Sequence, residues 1–172
     1  MSFEDELRRS LKHHVDAPVP EILATRLLIR AAALVHTHMD TVLSRENINM
    51  RGYLALAVIA MHKGKAIRPS DLSVSLDATR TQVTRLLDAL AQQDLVTRAP
   101  SQEDRRALNL TLTAAGQRKL ARCMPKVHTV YRQVWANIRD FTPVTRGLGA
   151  LHAKLVTEHA MAGSHAAQED AA

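Results

Sequence analysis

The chain has 172 residues, of which 46% are hydrophobic and only 3% aromatic, so it allows one domain of ordinary size with an aliphatic core. Its single cysteine excludes an internal disulfide and a multi-cysteine zinc site. No apolar run is long enough to span a membrane, and the N-terminus lacks the basic and apolar regions of a signal peptide, which predicts a cytoplasmic protein with no membrane partner. The net charge of +6 favours an anionic partner.

The first third of the chain is predicted to be helical after a short arm. Residues 1–19 are polar and lead into the proline-containing segment Ala17-Pro18-Val19-Pro20, which predicts an N-terminal arm. Residues 21–46 predict the first helix because apolar side chains recur at helical spacing, at Leu28, Ala32, Val35, Met39 and Val42. Residues 50–62 predict a second, apolar helix.

Two short helices separated by a turn are predicted next. Pro69 suits the first position of a helix, because no intrahelical hydrogen bond is required of its nitrogen. Leu72 and Leu76 lie one helical turn apart and can pack on the following helix. Asp77-Ala78 form the predicted turn. This order of elements is that of a helix-turn-helix.

The second of these helices has an apolar side and a polar side. Thr79 is predicted as its N-cap, and Gln82 lies three residues on, at the spacing of a capping box. One stripe of this helix is apolar. Thr81 and Arg85 point away from it and offer the hydroxyl and guanidinium groups that read base edges and bind phosphates. A solvated helix face is the alternative, and the neighbouring elements favour DNA binding. An advance of about 100° per residue forms the stripe from Val83, Leu86, Leu87 and Leu90.

Two strands are predicted after this helix. Residues 95–97 favour a strand, and residues 108–112 place a leucine at every second position, as in a half-buried strand. The segment between the strands is a polar tip that ends in two arginines. These arginines can enter a narrow minor groove, where the negative potential is enhanced. A solubilising loop is the alternative. Residues 66–68 could add a third strand. The polar tip between the strands is Ser101-Gln102-Glu103-Asp104-Arg105-Arg106.

Two more helices are predicted after the strands. Pro125 removes a hydrogen bond within the helix of residues 114–139 and is expected to kink it. Thr142 and Pro143 are predicted as the N-cap and first residue of a last helix, and residues 163–172 as a disordered tail. The last helix has one apolar face, formed by Leu148, Leu151 and Leu155. The earlier helix carries a seam of the coiled-coil type, formed by Leu120, Met124, Val127, Tyr131, Val134 and Ile138.

These elements predict a mostly α fold, an α+β winged helix. Residues 63–112 form the winged helix-turn-helix DNA-binding head, and residues 20–62 and 113–162 form a helical dimerisation region. A two-fold dimer presents two recognition helices to successive major grooves of double-stranded DNA. The long terminal helices either close a monomeric core or pair with a second chain, and the apolar seam favours pairing. We therefore predict a homodimer that binds an approximately palindromic site.

The predicted DNA-contacting residues lie on both short helices, on the strands and at the tip. Residues 63–106 carry a net charge of only +2, whereas residues 113–146 carry +6, so the placement of the arginines matters more than their number. The arginines of the long helix either support phosphate contacts or line a cavity. The predicted contacts are Ser70, Thr79, Arg80, Thr81, Gln82, Thr84, Arg85, Arg98, Asp104, Arg105 and Arg106.

Several segments resemble the MarR family of bacterial transcription regulators. They are Pro69-Ser70-Asp71-Leu72, Thr84-Arg85-Leu86-Leu87-Asp88-Ala89-Leu90, and Asp104-Arg105-Arg106 followed by Leu110-Thr111-Leu112-Thr113. The resemblance extends over residues 20–161. Residues 21–27 and the proline at position 125 are most similar to the repressors of multidrug efflux operons.

The resemblance implies a homodimer joined through helices at both termini, acting as a repressor of an efflux or stress operon without a cofactor. It also implies a small phenolic or amphipathic ligand, bound between the dimer helices and the DNA-binding head. The candidate lining consists of large side chains that could equally be plain core: His36, Met39, Tyr53, Met61, Tyr131 and Trp135.

Redox sensing, metal binding and protein binding are alternative functions. Cys123 could sense oxidants if Arg122 and Lys126 lower its thiol pKa, although a buried cysteine is usually inert. The pairs His13-His14 and His36-x-His38 could start a metal site, but no acidic cluster joins them. A winged helix that binds only protein remains an alternative. The chain has no glycine-rich phosphate loop and no nucleophile elbow, so we predict no enzyme activity.

Overall fold

The computed structural model describes residues 5–6, 9–10, 16–62, 67–100 and 108–169. It confirms the mostly helical winged-helix class. The chain divides into two compact units, residues 1–134 and residues 135–172. None of the helices in the described part combines the length and the apolar content that crossing a membrane requires. The elements are α1 Val19–Ser44, α2 Met50–Met61, α3 Pro69–Ser75, α4 Arg80–Gln92, β1 Val96–Pro100, β2 Leu108–Leu112, α5 Ala114–Val134 and α6 Thr142–Glu169.

Helix α2 lies at the centre of the first unit. Asn49 caps it by accepting a hydrogen bond of 2.9 Å from the Gly52 N–H. A helix that is apolar on nearly every side is stable only when other elements surround it. Accordingly α2 packs against α1, α3, α4, α5 and β2. The surrounding elements contribute fully buried side chains to this core, among them Met39, Leu43, Ile67, Leu72, Val83, Cys123 and Val127.

The two strands pair in antiparallel register, with Val96 opposite Leu112 and Arg98 opposite Leu110. Val96 and Leu110 are buried on one face. On the other face the hydroxyls of Thr97 and Thr111 lie 2.6 Å apart. The sheet therefore has one face on the core and one in solvent, as the alternation in residues 108–112 predicts.

The possible third strand is absent from the described residues of segment 66–68. Ile67 is fully buried, and neither it nor Arg68 belongs to a strand. The main-chain N–H of Arg68 donates to the carboxylate of Asp71 at 3.1 Å, at the start of α3. A donor used at a helix start cannot also serve a strand ladder, which explains the difference.

Three predicted boundaries shift at the C-terminal end. Helix α5 ends at Val134 rather than at residue 139, and a turn follows in which the Ile138 N–H donates to the Trp135 carbonyl at 3.0 Å. Thr142 is the first residue of α6 rather than its cap, since its N–H donates to the Asp140 carboxylate at 2.8 Å. Helix α6 continues to Glu169 where a disordered tail was expected, in a segment whose repeated alanines favour helix.

The predicted apolar seam is divided: part of it is buried on α5, part is exposed on α5, and Ile138 lies beyond the end of the helix. The buried stripe is formed by Gly116, Leu120, Cys123, Val127 and Val130, and it packs against α1 and α2 of the same chain. Leu120 and Val127 therefore belong to the core, and the seam as a whole cannot serve a second chain. The remaining seam residues are exposed by between 37% and 39%: Met124, Tyr131, Val134 and Ile138.

Candidate nucleic-acid interface

The recognition helix α4 begins with the predicted capping box. The Gln82 N–H donates to the Thr79 hydroxyl at 3.3 Å, and the Thr79 N–H donates to the Gln82 side-chain carbonyl at 3.0 Å. Both side chains are exposed, but each has an oxygen engaged by the helix end. Thr79 and Gln82 thus act first as structural caps, and the Gln82 amide NH₂ remains available to DNA.

The outer face of α4 is open. Val83, Leu87 and Leu90 are buried against the core. The side chains of Arg80 and Arg85 are exposed, and neither pairs with an acidic residue in the described ranges. Each can therefore offer a full guanidinium to bases or phosphates.

Two threonines share this outer face. Thr81 and Thr84 are both exposed. The Thr84 hydroxyl donates to the Arg80 carbonyl at 2.9 Å, so Thr84 can only accept from a ligand. The outer face of α4 is cationic and hydroxyl-bearing, as the helical periodicity predicts.

Helix α3 precedes the reading helix and places Ser70 at its exposed start. The Ser70 hydroxyl lies 3.4 Å from the carboxylate of Asp71. A sharp turn joins α3 to α4, with Asp77 at φ 46° and the Ala78 N–H donating to the Ser73 carbonyl at 3.0 Å. Aspartate tolerates this left-handed conformation better than most residues, which suits the predicted turn.

Arg98, which was predicted to contact DNA, forms an ion pair within the protein. One terminal nitrogen of its guanidinium lies 2.7 Å from a carboxylate oxygen of Asp88, on α4. Its side chain is only 25% exposed, whereas that of Asp88 is 52% exposed. Sequence reasoning missed Asp88, and the only available signal was an acidic residue on α4 beside a basic residue on the next strand.

The wing is the hairpin whose strands are β1 and β2, and its base is tied to the residues that follow α4. The Thr113 hydroxyl donates to the Asp94 carbonyl at 2.6 Å and accepts from the Gly116 N–H at 2.9 Å. A Cβ atom on Gly116 would lie 2.0 Å from the main-chain oxygen of Leu95. Only glycine permits this approach of α5 to the strand entry. The motif Thr-x-x-Gly at the start of a helix was the signal that could have identified this contact.

The remaining predicted contacts, Asp104, Arg105 and Arg106, lie outside the described residues. Their role stays a prediction from the sequence.

A sequence profile of the MarR family matches residues 47–107. The chain is 32% identical over 134 residues to the transcriptional repressor MprA of Escherichia coli K12, across 78% of this chain and 76% of MprA. The chain belongs to the MarR family. This chain is thus a DNA-binding transcriptional regulator, and the prediction of a regulator rather than an enzyme is confirmed.

Solved structures of the family share the fold of this MarR-family regulator. AbsC from Streptomyces coelicolor is 22% identical, with a TM-score of 0.72 over 83% of this chain and 95% of AbsC. MosR from Mycobacterium tuberculosis, in complex with DNA, is 25% identical, with a TM-score of 0.67 over 78% of this chain and 96% of MosR. CouR from Rhodococcus jostii RHA1, bound to p-coumaroyl-CoA, is 22% identical, with a TM-score of 0.66 over 74% of this chain and 87% of CouR.

The six predicted ligand residues of this MarR-family regulator lie on α1, α2, α5 and the turn that follows α5. Met39 is fully buried in the core, whereas Met61 is 69% exposed at the end of α2. His36 is exposed on α1, with its Nδ1 atom 3.3 Å from the Asp40 carboxylate. Trp135 lies in the second unit, where its ring meets Phe141 edge to face at 5.7 Å.

Two of the six residues, Tyr53 and Tyr131, lie on helices that pack together, α2 and α5. Tyr53 is buried on α2, and Tyr131 is 38% exposed on α5. The pKa of the Tyr53 hydroxyl is raised by burial first, and then by the neighbouring Tyr131 and Cys123 groups. The two tyrosines therefore remain candidates for a common ligand.

A pocket of about 340 Å³ lies elsewhere, between the α1–α2 turn and the rear of α4. None of the six predicted residues lines it, and no charged side chain does. Its walls are Ser44, Asn47, Ile48, Asn49, Gly52, Leu86, Ala89, Leu90 and Gln93.

The redox hypothesis is wrong in its physical premise. Cys123 is fully buried, and burial raises the pKa of its thiol, with Glu46 as a further cause. The basic residues expected to activate the thiol still lower its pKa, but burial outweighs them. Both are also bound to Glu46: Arg122 at 3.2 Å, and Lys126 in a close ion pair. Lys119 donates to the Glu46 main-chain oxygen at 2.6 Å. Part of the basic excess of residues 113–146 thus holds the α1–α2 turn on α5.

No cluster in the described ranges supports the metal hypothesis. There, no three histidine, cysteine or acidic side chains are grouped so that they could hold a metal ion. His36 and His38 are both exposed on α1. His13 and His14 lie outside the described residues.

Proposed function

We propose that this MarR-family regulator is a homodimeric, ligand-responsive repressor of an efflux or stress operon, and that it acts in the cytoplasm on an approximately palindromic site. The observation that carries the proposal is the open outer face of α4. There Arg80, Thr81 and Arg85 are exposed together, while the opposite face is buried. The DNA complex of the structurally similar MosR supports the same use of the fold here.

Exposed leucines on the two long terminal helices support the homodimer. A monomer rarely leaves so many large apolar side chains in water, whereas a stable dimer interface buries them. The exposed leucines of this chain occur on α1 at Leu27, Leu28 and Leu34, and on α6 at Leu148, Leu151 and Leu155, with exposures between 38% and 69%. A dimer with two-fold symmetry presents α4 twice, which accounts for a palindromic target.

The placement of Tyr53 and Tyr131 on two helices that pack together supports a phenolic or amphipathic ligand. A tyrosine ring can stack on a phenol, and a tyrosine hydroxyl can donate a hydrogen bond to the phenol oxygen. CouR, which shares the fold, binds p-coumaroyl-CoA. Such a ligand releases DNA only if it binds the DNA-incompetent conformation more tightly than the competent one.

In vitro selection from a pool of random duplexes tests the DNA-binding part. The expected result is a pair of inverted half-sites whose centres are about one helical turn apart. Arg85→Ala should abolish the enrichment of that site. Arg146→Ala, which removes the same charge from an exposed position on α6, should leave it intact. Selection of a single half-site, or no selection, contradicts the proposal.

Calorimetry against a panel of simple phenols tests the sensing part. We expect heat with at least one phenol, loss of that heat in Tyr131→Ala, and weaker binding of the selected duplex in the presence of the phenol. If no phenol gives heat or weakens DNA binding, the protein is a regulator without this class of ligand. Transcription of the neighbouring genes should rise in a strain that lacks the regulator if the protein is a repressor.

A further inference from the structure

We infer that Arg98 positions the wing rather than contacting DNA, and that Asp88 is its partner in this role. The inference rests on the proposed use of α4 and the wing to bind DNA. Asp88 belongs to the reading helix and Arg98 to the first strand of the wing, so their ion pair of 2.7 Å joins the two elements. No other ion pair between α4 and the sheet is present among the described residues.

The environment of the Arg98 side chain directs its charge toward α4. Arg98 lies opposite Leu110, whose side chain is buried. The Arg98 Nε atom is enclosed by protein and has no hydrogen-bond partner. With only a quarter of the side chain exposed, the guanidinium presents little surface to a phosphate. An arginine that served DNA would need its fork of donors free and facing outward.

The position of Asp88 explains why this pair matters for DNA binding. Asp88 lies three residues after Arg85 and four after Thr84, on the adjoining flank of the same helix. Strand β1 carries Arg98 at its centre. The pair therefore sets the distance between the outer face of α4 and the wing. Two contact elements bind one duplex tightly only when their spacing is held before binding.

A positioning role and a simple charge effect predict opposite changes in DNA affinity when Asp88 is removed. Asp88 is a negative charge beside a cationic face, so on charge alone its removal should tighten binding to DNA. A positioning role predicts the opposite result, because removal of Asp88 frees the wing. A partly exposed pair of this kind contributes little to overall stability, so unfolding and DNA binding should respond differently.

The experiment measures the affinity of Asp88→Ala, Arg98→Ala, the double alanine variant and the charge-swapped pair Asp88→Arg with Arg98→Asp. The probe is a duplex selected in vitro with the unaltered protein, titrated at several potassium chloride concentrations. Glu21→Ala is the matched control, since it removes one exposed acidic charge from α1. Asp88→Asn is the second variant if Asp88→Ala does not fold.

We expect each single alanine variant to bind about tenfold more weakly, with an unchanged salt slope, and the double variant to be no weaker than either single variant. The charge-swapped pair should recover most of the loss. The inference is overturned if Asp88→Ala binds as tightly as the Glu21→Ala control, or if Arg98→Ala lowers the salt slope by about one, as loss of a phosphate contact does. Arg85→Ala tests the proposed DNA binding by α4 separately from the positioning role of Asp88 and Arg98, because it changes the outer face of α4 and leaves the ion pair intact.

Discussion

The Nζ atom of Lys119 donates a hydrogen bond of 2.6 Å to the main-chain oxygen of Glu46, a residue 73 positions earlier in the chain. The Glu46 carboxylate binds the next two basic residues of the same helix face, Arg122 and Lys126. One acidic residue therefore ties the α1–α2 turn to α5. The end of the first long helix and the helix that follows the wing are held together at this point.

Glu46→Gln is expected to lower the stability of the protein at neutral pH. The hydrogen bond from Lys126, followed by that from Arg122, holds the pKa of Glu46 below its ordinary value of 4.5. A carboxyl whose folded-state pKa is depressed stabilises the protein above the unfolded pKa, and this contribution is lost as the pH falls through the folded-state pKa. Urea unfolding should show a gap between the wild type and the variant that closes in acid.

Glu21→Gln is the control for that experiment, since Glu21 is exposed near the start of α1. It should unfold like the wild type throughout the same pH range. A gap between wild type and Glu46→Gln that stays constant from neutral to acidic pH contradicts the proposed role of the ionised carboxylate.

Gly116→Ala should destabilise the fold. The added Cβ atom would lie 2.0 Å from the Leu95 main-chain oxygen, so α5 or the strand entry must move. Overpacking of this kind costs roughly 1–3 kcal/mol, which denaturant unfolding can measure. Gly149→Ala is the matched control, because nothing lies within 4 Å of its Cβ position on α6. That change should stabilise the protein by about 0.5–1 kcal/mol.

Thr79→Ala and Thr84→Ala should separate stability from DNA recognition. Thr79 caps α4 through the Gln82 N–H, and loss of an N-cap costs about 1 kcal/mol. Thr84 bonds only to the Arg80 carbonyl within its own helix, so its removal should leave the thermal unfolding midpoint nearly unchanged. If both threonines face DNA, both variants should bind the selected duplex more weakly. Equal loss of stability in the two variants would count against the cap.

Leu151→Glu should weaken the homodimer. Leu151 is 40% exposed on α6, and a buried carboxylate at a dimer interface is costly. Sedimentation equilibrium should show the dissociation constant rising by at least about tenfold. Ala153→Glu introduces the same charge on the opposite side of α6 and should leave the dimer intact. A wild-type chain that sediments as a monomer would refute the dimer directly.

Arg105→Ala with Arg106→Ala should weaken DNA binding with little sequence preference. Each arginine that neutralises a phosphate lowers the salt slope of the affinity by about one when it is removed. Fluorescence anisotropy on the selected duplex and on a random duplex, across a range of salt, measures both effects. An unchanged affinity for both duplexes would rule out a wing contact.

Local patterns in the sequence predicted the reading head well. The capping box at Thr79, the buried stripe through Val83 and Leu87, and the exposed positions of Thr81 and Arg85 all follow from helical periodicity. These features involve residues at most a few positions apart, where backbone geometry leaves few alternatives. The order of helices and strands was also readable, because each type of element has its own period.

The contacts between distant elements could not be read from the sequence. Periodicity placed Leu120 and Met124 on one seam, but the packing of α1 and α2 on α5 buries only Leu120. Likewise, the sequence placed Arg98 on a strand without showing that Asp88 would take its charge. Each of these outcomes depends on which two elements pack together and at what distance.

The sequence by itself determined a winged helix-turn-helix whose reading helix has one apolar side and one cationic side, because hydrophobic spacing and capping act within a few residues. Only the tertiary structure decided which charges of the described residues are paired with one another. It paired Arg98 with Asp88, gathered Lys119, Arg122 and Lys126 around Glu46, and enclosed the Cys123 thiol. Ion pairing and burial depend on approach in space, and the chain brings these groups together only when it folds.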